Sequence, residues 1–380
     1  MNLLAGLWGI AMAIGMGSGP SIWPLAYPLP HVFDVAGPRT DGRLVVAAAG
    51  TLFLLNQATG AKEPFAAGPG GYPGAGGEEP YIAVVSAAVA GHSTFKTDEV
   101  FVLQLKPAGG VLRIDAAGMA HQFANVAGVD SLNGIAFDEN GAFGYRLLVT
   151  GPHAHHTTVA AIAGDGQVSV LTTQAPTVEG GLAVAPSTFG KFAGDLIAPD
   201  ELSGKIYAIS SDGTSQVLAT PDMAHGGDIG VESAGFVPNA DLAGATVYFA
   251  DRGTPGNLHP GTDNLLALKG TDLVRAGGGP GDLLVGTEGG AGLVAVRCDL
   301  VSCQVTTIIV DNGTSHGEGH IVVAMQAPSP AFGPAPAAVR STSPLTPTPV
   351  ALVIGLAAAG LFALAALALT FTMRRRRQAA

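Results

Sequence analysis

The sequence predicts an all-β, six-bladed propeller closed by a C-terminal strand, followed by a Pro-rich stalk and a single transmembrane helix. Three observations lead there. Short apolar runs separated by Gly and Pro recur in groups of four. An acid stands a few places ahead of the first run in most groups. The chain ends in an uncharged run of 24 residues, Val350 to Met373, capped by Arg374 to Arg377.

From the N-terminus, Leu3 to Met16 is an apolar stretch too short for a comfortable span and suited to a signal-peptide core. The segment 1–26 is therefore expected to be removed, with cleavage between Gly17 and Ala26; an uncleaved anchor is the alternative. Either way the part that follows, 27–325, lies outside the cytoplasm.

That part repeats. "GLAV…FAGDLIAPDELSGKIYAISSDGTSQVLAT" (181–220) holds four short strands, and the scheme returns at 134–173 and 234–277. "GDG" at 164–166 and "SDG" at 211–213 are expected as turns between third and fourth strands. Four-stranded units at this period mean a propeller. Glu79, Leu132, Glu179 and Glu232 mark the start of a first strand at spacings of 53, 47 and 53, and Glu318 follows 86 residues later, two steps of 43. The count is six. A seven-bladed ring and a β-sandwich are the alternatives. The unit containing "DLLVGT", "GLVAV" and "QVTTIIV" lacks a good first strand, and so does the first unit, "RLVVAAAG…TLFLLN…EPFAAG". The expectation is that "HIVVAM" (320–325) completes the first unit and closes the ring.

Cys298 and Cys303 flank "DLVS" between two apolar runs, which reads as a hairpin bridged by a disulfide; free thiols are the other option. No second Cys pair exists for a zinc site.

The segment 326–349 has seven prolines in 24 residues and cannot form a packed core. As a polyproline-like stalk it reaches up to ~70 Å. The run 350–373 spans ~36 Å as a helix, enough for a bilayer core. The Arg tail, 374–380, holds that end in the cytoplasm. The expected location is the cell membrane, in a single pass with the ectodomain outside. The abundance of Ala and Gly fits the coding bias of a GC-rich bacterial genome.

Without the four tail arginines the chain has 14 basic against 29 acidic residues. Nucleic acid is a poor partner for such a surface. A cation, or an extracellular ligand or cell-envelope partner carrying positive charge, is the natural one.

Since first strands line the channel of a propeller, Glu79, Glu179, Glu232 and Glu318 are expected to converge at its mouth, with Asn133 beside Leu132 in the third unit. Carboxylates and an amide oxygen on one axis suit Ca²⁺ or Mg²⁺. The alternative is a water-filled mouth in which solvated acids tolerate one another. The same face should carry His153, His155, His156, Asp200, Glu201, Asp251, Arg252 and Glu288 from the loops between second and third strands. His225 and His316 join it from the connections between units.

"SLNGIAFDENG" (131–141) resembles the N-G-[IL]-A-F-x-x-[DE]-G segment of gluconolactonase- and regucalcin-like six-bladed propellers. The resemblance implies that Asn133 ligates a divalent metal in the channel. The family's opening E-G-P-x-W is absent, since Glu79 is followed by "PYIA", and its catalytic Asp has only Asp228 and Asp251 as candidates. The functional expectation is a binding module on a stalk. The alternative is a metal-dependent hydrolase of lactones or esters.

Overall fold

The computed structural model describes residues 22–326, apart from 78, 107, 108, 311 and 312. Within that range six four-stranded antiparallel sheets are present. Four of them are built from consecutive strands, running outward from the axis. Blade I is β2 (Val32–Ala36), β3 (Leu44–Ala48), β4 (Thr51–Leu55) and β5 (Lys62–Phe65). Blade II is β6 (Ile82–Val84), β7 (Val100–Gln104), β8 (Gly110–Ile114) and β9 (Ala120–Asn125). Blade III is β10 (Gly134–Phe137), β11 (Leu147–His153), β12 (His156–Ile162) and β13 (Val168–Ala175). Blade IV is β14 (Ala183–Val184), β15 (Leu196–Asp200), β16 (Lys205–Ile209) and β17 (Ser215–Ala219).

The last two blades interlock. Blade V opens with β18 (Val231–Phe236) and is completed by β21 (Leu283–Thr287), β22 (Leu293–Cys298) and β23 (Cys303–Ile309). Between β18 and β21 the chain crosses to the neighbouring blade and lays down β19 (Ala245–Asp251) and β20 (Asn264–Lys269). It returns through a short helix, Gly270–Arg275. Blade VI sets β24 (Gly317–Met325) innermost, then β19, β20 and, outermost, the N-terminal β1 (Leu25–Pro28).

This corrects two expectations. The unit at 234–277 is not one blade: β18 pairs with β21, Ala234 facing Val285, and not with β19. The C-terminal strand does close the ring, but in blade VI, where Val247 faces Val323. Blade I has a first strand of its own, "VFDVA". The physical reason is that periodicity marks a strand without naming its partner, and consecutive strands pair only about two-thirds of the time. The expected start of the folded part at 27 falls inside β1. Trp23 is already buried there and donates from Nε1 to the Ala291 carbonyl at 2.9 Å.

Apolar faces of adjacent blades pack into clusters that bridge them: Phe95, Phe101 and Phe137 join blades II and III, and Phe249, Leu284 and Ile321 join V and VI. The expected turns are present, with Gly166 at φ 88° and Gly213 at φ 85°, a region where a side chain is strained. Cys298 and Cys303 are register partners in a disulfide with Cα atoms 4.0 Å apart. No helix among the described residues is long and apolar enough to cross a membrane. The segments 1–21 and 327–380, with the expected signal peptide, stalk and span, lie outside the described residues.

Candidate site at the acidic mouth of the channel

The inner strands come so close around the axis that some positions admit only glycine. A Cβ on Gly235 in β18 would collide with the Ile321 carbonyl of β24, and one on Gly180 with the Glu232 carbonyl. Below the mouth the channel is plugged. Asp34, from the middle of β2, accepts from Ile82 N at 2.7 Å and from His320 N at 2.7 Å. His320 directs Nδ1 at the same carboxylate, 2.9 Å from Oδ2, and Nε2 at the Ile135 carbonyl, 2.8 Å away. Both ring nitrogens face acceptors, so the ring is an imidazolium. Burial opposes that charge, but Asp34 outweighs it and raises the histidine's pKa. This ion pair joins the inner strands of blades VI, I, II and III.

Above the plug lie the acids. Tyr81 packs edge-on to His320, ring centroids 6.2 Å apart, and donates its hydroxyl to Glu232 Oε1 at 2.6 Å. Glu232 is buried, and its Oε2 has no hydrogen-bond partner among the described residues. Burial first, then the charges of Glu318, Glu288 and Glu179, hold its pKa well above the carboxylate range and favour its protonated form.

A line of charges crosses the mouth. The carboxyls of Glu201 and Glu288 share a hydrogen bond, and Glu201 Oε2 also accepts from Asp228 N at 3.0 Å. Glu288 Oε1 lies 3.0 Å from His316 Nε2, which is 3.4 Å from Glu318 Oε1. Arg252 Nη1 reaches Glu318 Oε1 at 3.0 Å and Glu79 Oε1 at 3.4 Å. Among the described residues, Glu288, His316 and Glu318 form a group whose ligand atoms all lie within 4.8 Å of one another.

The titrations follow from this crowding. Glu179 is raised to about 7 by burial and then by Glu79, Glu318 and Glu288. Glu318 is raised to about 7 by burial, with His316 and Arg252 opposing. Glu201 is raised to about 8 by burial and by its bond to Glu288. Burial would lower His316, yet Glu288 and Glu318 lift it to about 9. The mouth therefore holds several protons at neutral pH that a bound cation would displace.

The expected residues sort into three groups. Glu79, Glu179, Glu232 and Glu318 do converge, and Glu201, Arg252, Glu288 and His316 join them. Asp200 and Asp251 are on the same face but serve their own loops. Asp200 Oδ1 accepts from Leu202 N, and Asp251 Oδ1 accepts from Thr262 N and His316 N. Asn133 is also engaged internally: Nδ2 donates to the Val178 carbonyl at 2.9 Å and Oδ1 accepts from Thr150 Oγ1 at 3.0 Å. The remaining histidines stand apart. His153 and His156 face each other across a two-residue turn, Ala154 and His155 having φ of 47° and 68°. His153 lies 3.3 Å from Asp130, and His225 is exposed with Nδ1 near the Met223 carbonyl. Sequence reasoning missed Asp34, Tyr81 and His320. A charge inside an apolar strand, as in "VFDVA" and "GHIVVAM", was the signal available for two of them.

Two cavities flank the line. One, of about 590 Å³, is lined by Phe33, Tyr72, Pro80, Arg252 and Pro255 among others. The other, of about 470 Å³, is lined by Glu79, Lys106, Asp130, Asn133 and Glu179 among others.

No family model matches this chain, and no curated protein matches it. Solved structures do. Virginiamycin B lyase from Staphylococcus aureus is 13% identical, with a TM-score of 0.43 over 80% of this chain and 95% of that one. The calcium-binding protein regucalcin from Agrobacterium tumefaciens is 10% identical, with a TM-score of 0.42 over 74% and 75%. A protein of unknown function from Bacteroides thetaiotaomicron is 12% identical, with a TM-score of 0.44 over 79% and 68%. At these identities the likeness concerns the fold, and no chemistry is carried over from it.

Proposed function

We propose that this six-bladed propeller is a membrane-anchored, extracytoplasmic binding module whose acidic channel mouth seats a divalent cation. The observation that supports it most is the convergence of Glu288, His316 and Glu318 at the head of a longer row of acids. Carboxylates crowded in partly buried surroundings are stabilised by a cation among them. The seat shifts from the ring expected from sequence. Glu232 is spoken for by Tyr81, and the Asn133 amide by Val178 and Thr150. Oxygen donors suit Ca²⁺ or Mg²⁺, and the imidazole extends the range to Mn²⁺. The membrane anchor rests on the sequence of 326–380, and the hydrolase alternative gains no observation of its own.

The test is a titration of the purified full chain with Ca²⁺, Mg²⁺ and Mn²⁺, followed calorimetrically and by thermal unfolding. A cation that binds only the folded state stabilises it by ~2.7 kcal/mol at a hundredfold excess over Kd. The Tm should rise with one of the three ions and fall with EDTA. Replacing Glu288 and Glu318 by Gln should abolish the response, and Glu232→Gln should leave it. No heat and no shift with any of the three ions would reject the cation.

A further inference from the structure

We infer that the cavity beside Arg252 is a binding pocket for a small carboxylate-bearing molecule with an apolar body, and that Arg252 reads the carboxylate. The inference extends the cation reading of the mouth, since a seated cation would strengthen binding of an anion there.

Arg252 follows β19 and its backbone is fixed, its N–H donating to the His316 carbonyl at 2.8 Å. Its side chain is only 16% exposed, and its guanidinium lies over the Phe33 ring at 5.4 Å. Phe33 and Arg252 both line the cavity of about 590 Å³, a volume usual for small-ligand sites. The other walls mix apolar and polar groups: Tyr72, Pro80, Pro255 and a run of small residues from Ala48 to Gly50 stand beside His31, Thr254 and Asn257. A pocket with an aromatic and prolyl wall and one guanidinium set over an aromatic ring is an arrangement that recognises a carboxylate joined to an apolar group.

Arg252 already has protein partners, and they differ. Glu318 is buried, 3% exposed, and lies 3.0 Å from Nη1. Glu79 is 43% exposed and lies at 3.4 Å. It follows Gly74, Gly76 and Gly77, two of which have positive φ, and Gly77 and Pro80 on either side of it line the cavity. Of these two, Glu79 is the one that can be exchanged. An incoming carboxylate would take its place on Arg252 while Glu79 swings into water. Glu318 would stay, holding the guanidinium in its plane over Phe33. A cation at Glu288, His316 and Glu318 would lower the negative potential the ligand meets, so the two should bind cooperatively, each tightening the other.

Phenylacetate and its neutral amide, phenylacetamide, serve as probes by isothermal calorimetry on the full chain, with and without excess Ca²⁺. Phenylacetate should bind at least about tenfold more tightly than the amide, the worth of one charge-assisted hydrogen bond. Arg252→Gln should remove that preference and leave the amide unchanged. Because Arg252 is partly buried and its loss could disturb folding, Glu79→Gln provides a second reading. Glu79 is on the exposed side, and removing its charge should tighten phenylacetate severalfold without affecting the amide. Equal binding of acid and amide, a preference that survives Arg252→Gln, or no tightening in Glu79→Gln would overturn the assignment. If none of Ca²⁺, Mg²⁺ and Mn²⁺ gives heat, the cation reading fails separately. An Arg252-dependent preference for the acid would then still uphold the pocket, and its absence would end it.

Discussion

At the scale of single residues, the Asp34–His320 pair is the clearest determinant of stability. Asp34 is fully buried and accepts from three backbone N–H groups, on two other inner strands and on its own, besides His320 Nδ1. Removing one partner of a buried pair leaves the other charge uncompensated, at a cost of ~3–5 kcal/mol. His320→Ala should therefore lower stability by about that amount in denaturant unfolding. Asp34→Asn should cost a similar amount, and the double replacement less than the sum of the two. Additive losses would mean that the two side chains act separately and that the channel is held by strand packing alone. His316 differs in kind. Its Nδ1 is buried without a partner among the described residues, an uncompensated cost of ~1–3 kcal/mol that a structural histidine would be expected to avoid. Its Nε2 is the point at which Glu288 and Glu318 meet.

At the scale of elements, blade VI is assembled from both ends of the folded region and from a two-stranded insertion in the middle. Its inner and outer strands are not equivalent. β24 is buried along eight of its nine residues and carries His320 and Glu318, whereas β1 is exposed at three of its four residues, with buried Trp23 and Leu29 anchoring its flanks. A chain truncated after Val310 should therefore lose cooperative unfolding altogether, since the inner wall and the ion pair go with it. One that starts at Leu29 should still unfold cooperatively, at a lower Tm. Equal melting of the two would argue that β24 contributes no more than an edge strand. The same asymmetry explains what was legible in the sequence. Most strands, though neither β1 nor β2, the hairpin turns at Gly166 and Gly213 and the count of six follow from local periodicity and turn chemistry. The crossover between β18 and β21 does not. Nothing within "AGFV" or "DLLVGT" distinguishes a partner 9 residues away from one 47 residues away. The convergence of the glutamates was legible because it follows from ring symmetry. The plug was not, because Asp34, Ile82, Ile135 and His320 meet only once the inner strands are in register.

At the scale of the whole molecule, the acidic mouth makes stability depend on pH in a direction opposite to that of most carboxylate-rich proteins. The usual native carboxylate has a lowered pKa, so acid destabilises the fold. Here Glu179 and Glu318 are raised to about 7 and Glu201 to about 8. Between the unfolded value near 4.3 and these folded values, the native state binds more protons than the unfolded chain. The slope of unfolding free energy with pH is then negative, and stability falls as pH rises. His316 acts in the same sense. Its folded pKa of about 9 is above that of a free histidine, so its contribution is complete below about 6.5 and lost as pH climbs through 9. His320, raised by Asp34, adds to the trend. The metal-free chain should thus melt several degrees higher at pH 5.5 than at pH 8.5. A cation that replaces the protons reverses the comparison, because it binds best when the carboxylates and His316 are deprotonated. In excess Ca²⁺ the decline should flatten, and each cation bound at pH 7 should release protons, measurable as a buffer-dependent heat. A metal-free Tm that rose between pH 5.5 and 8.5 would mean that the mouth is solvated well enough to ionise freely, and the physical case for a seated cation would fall with it.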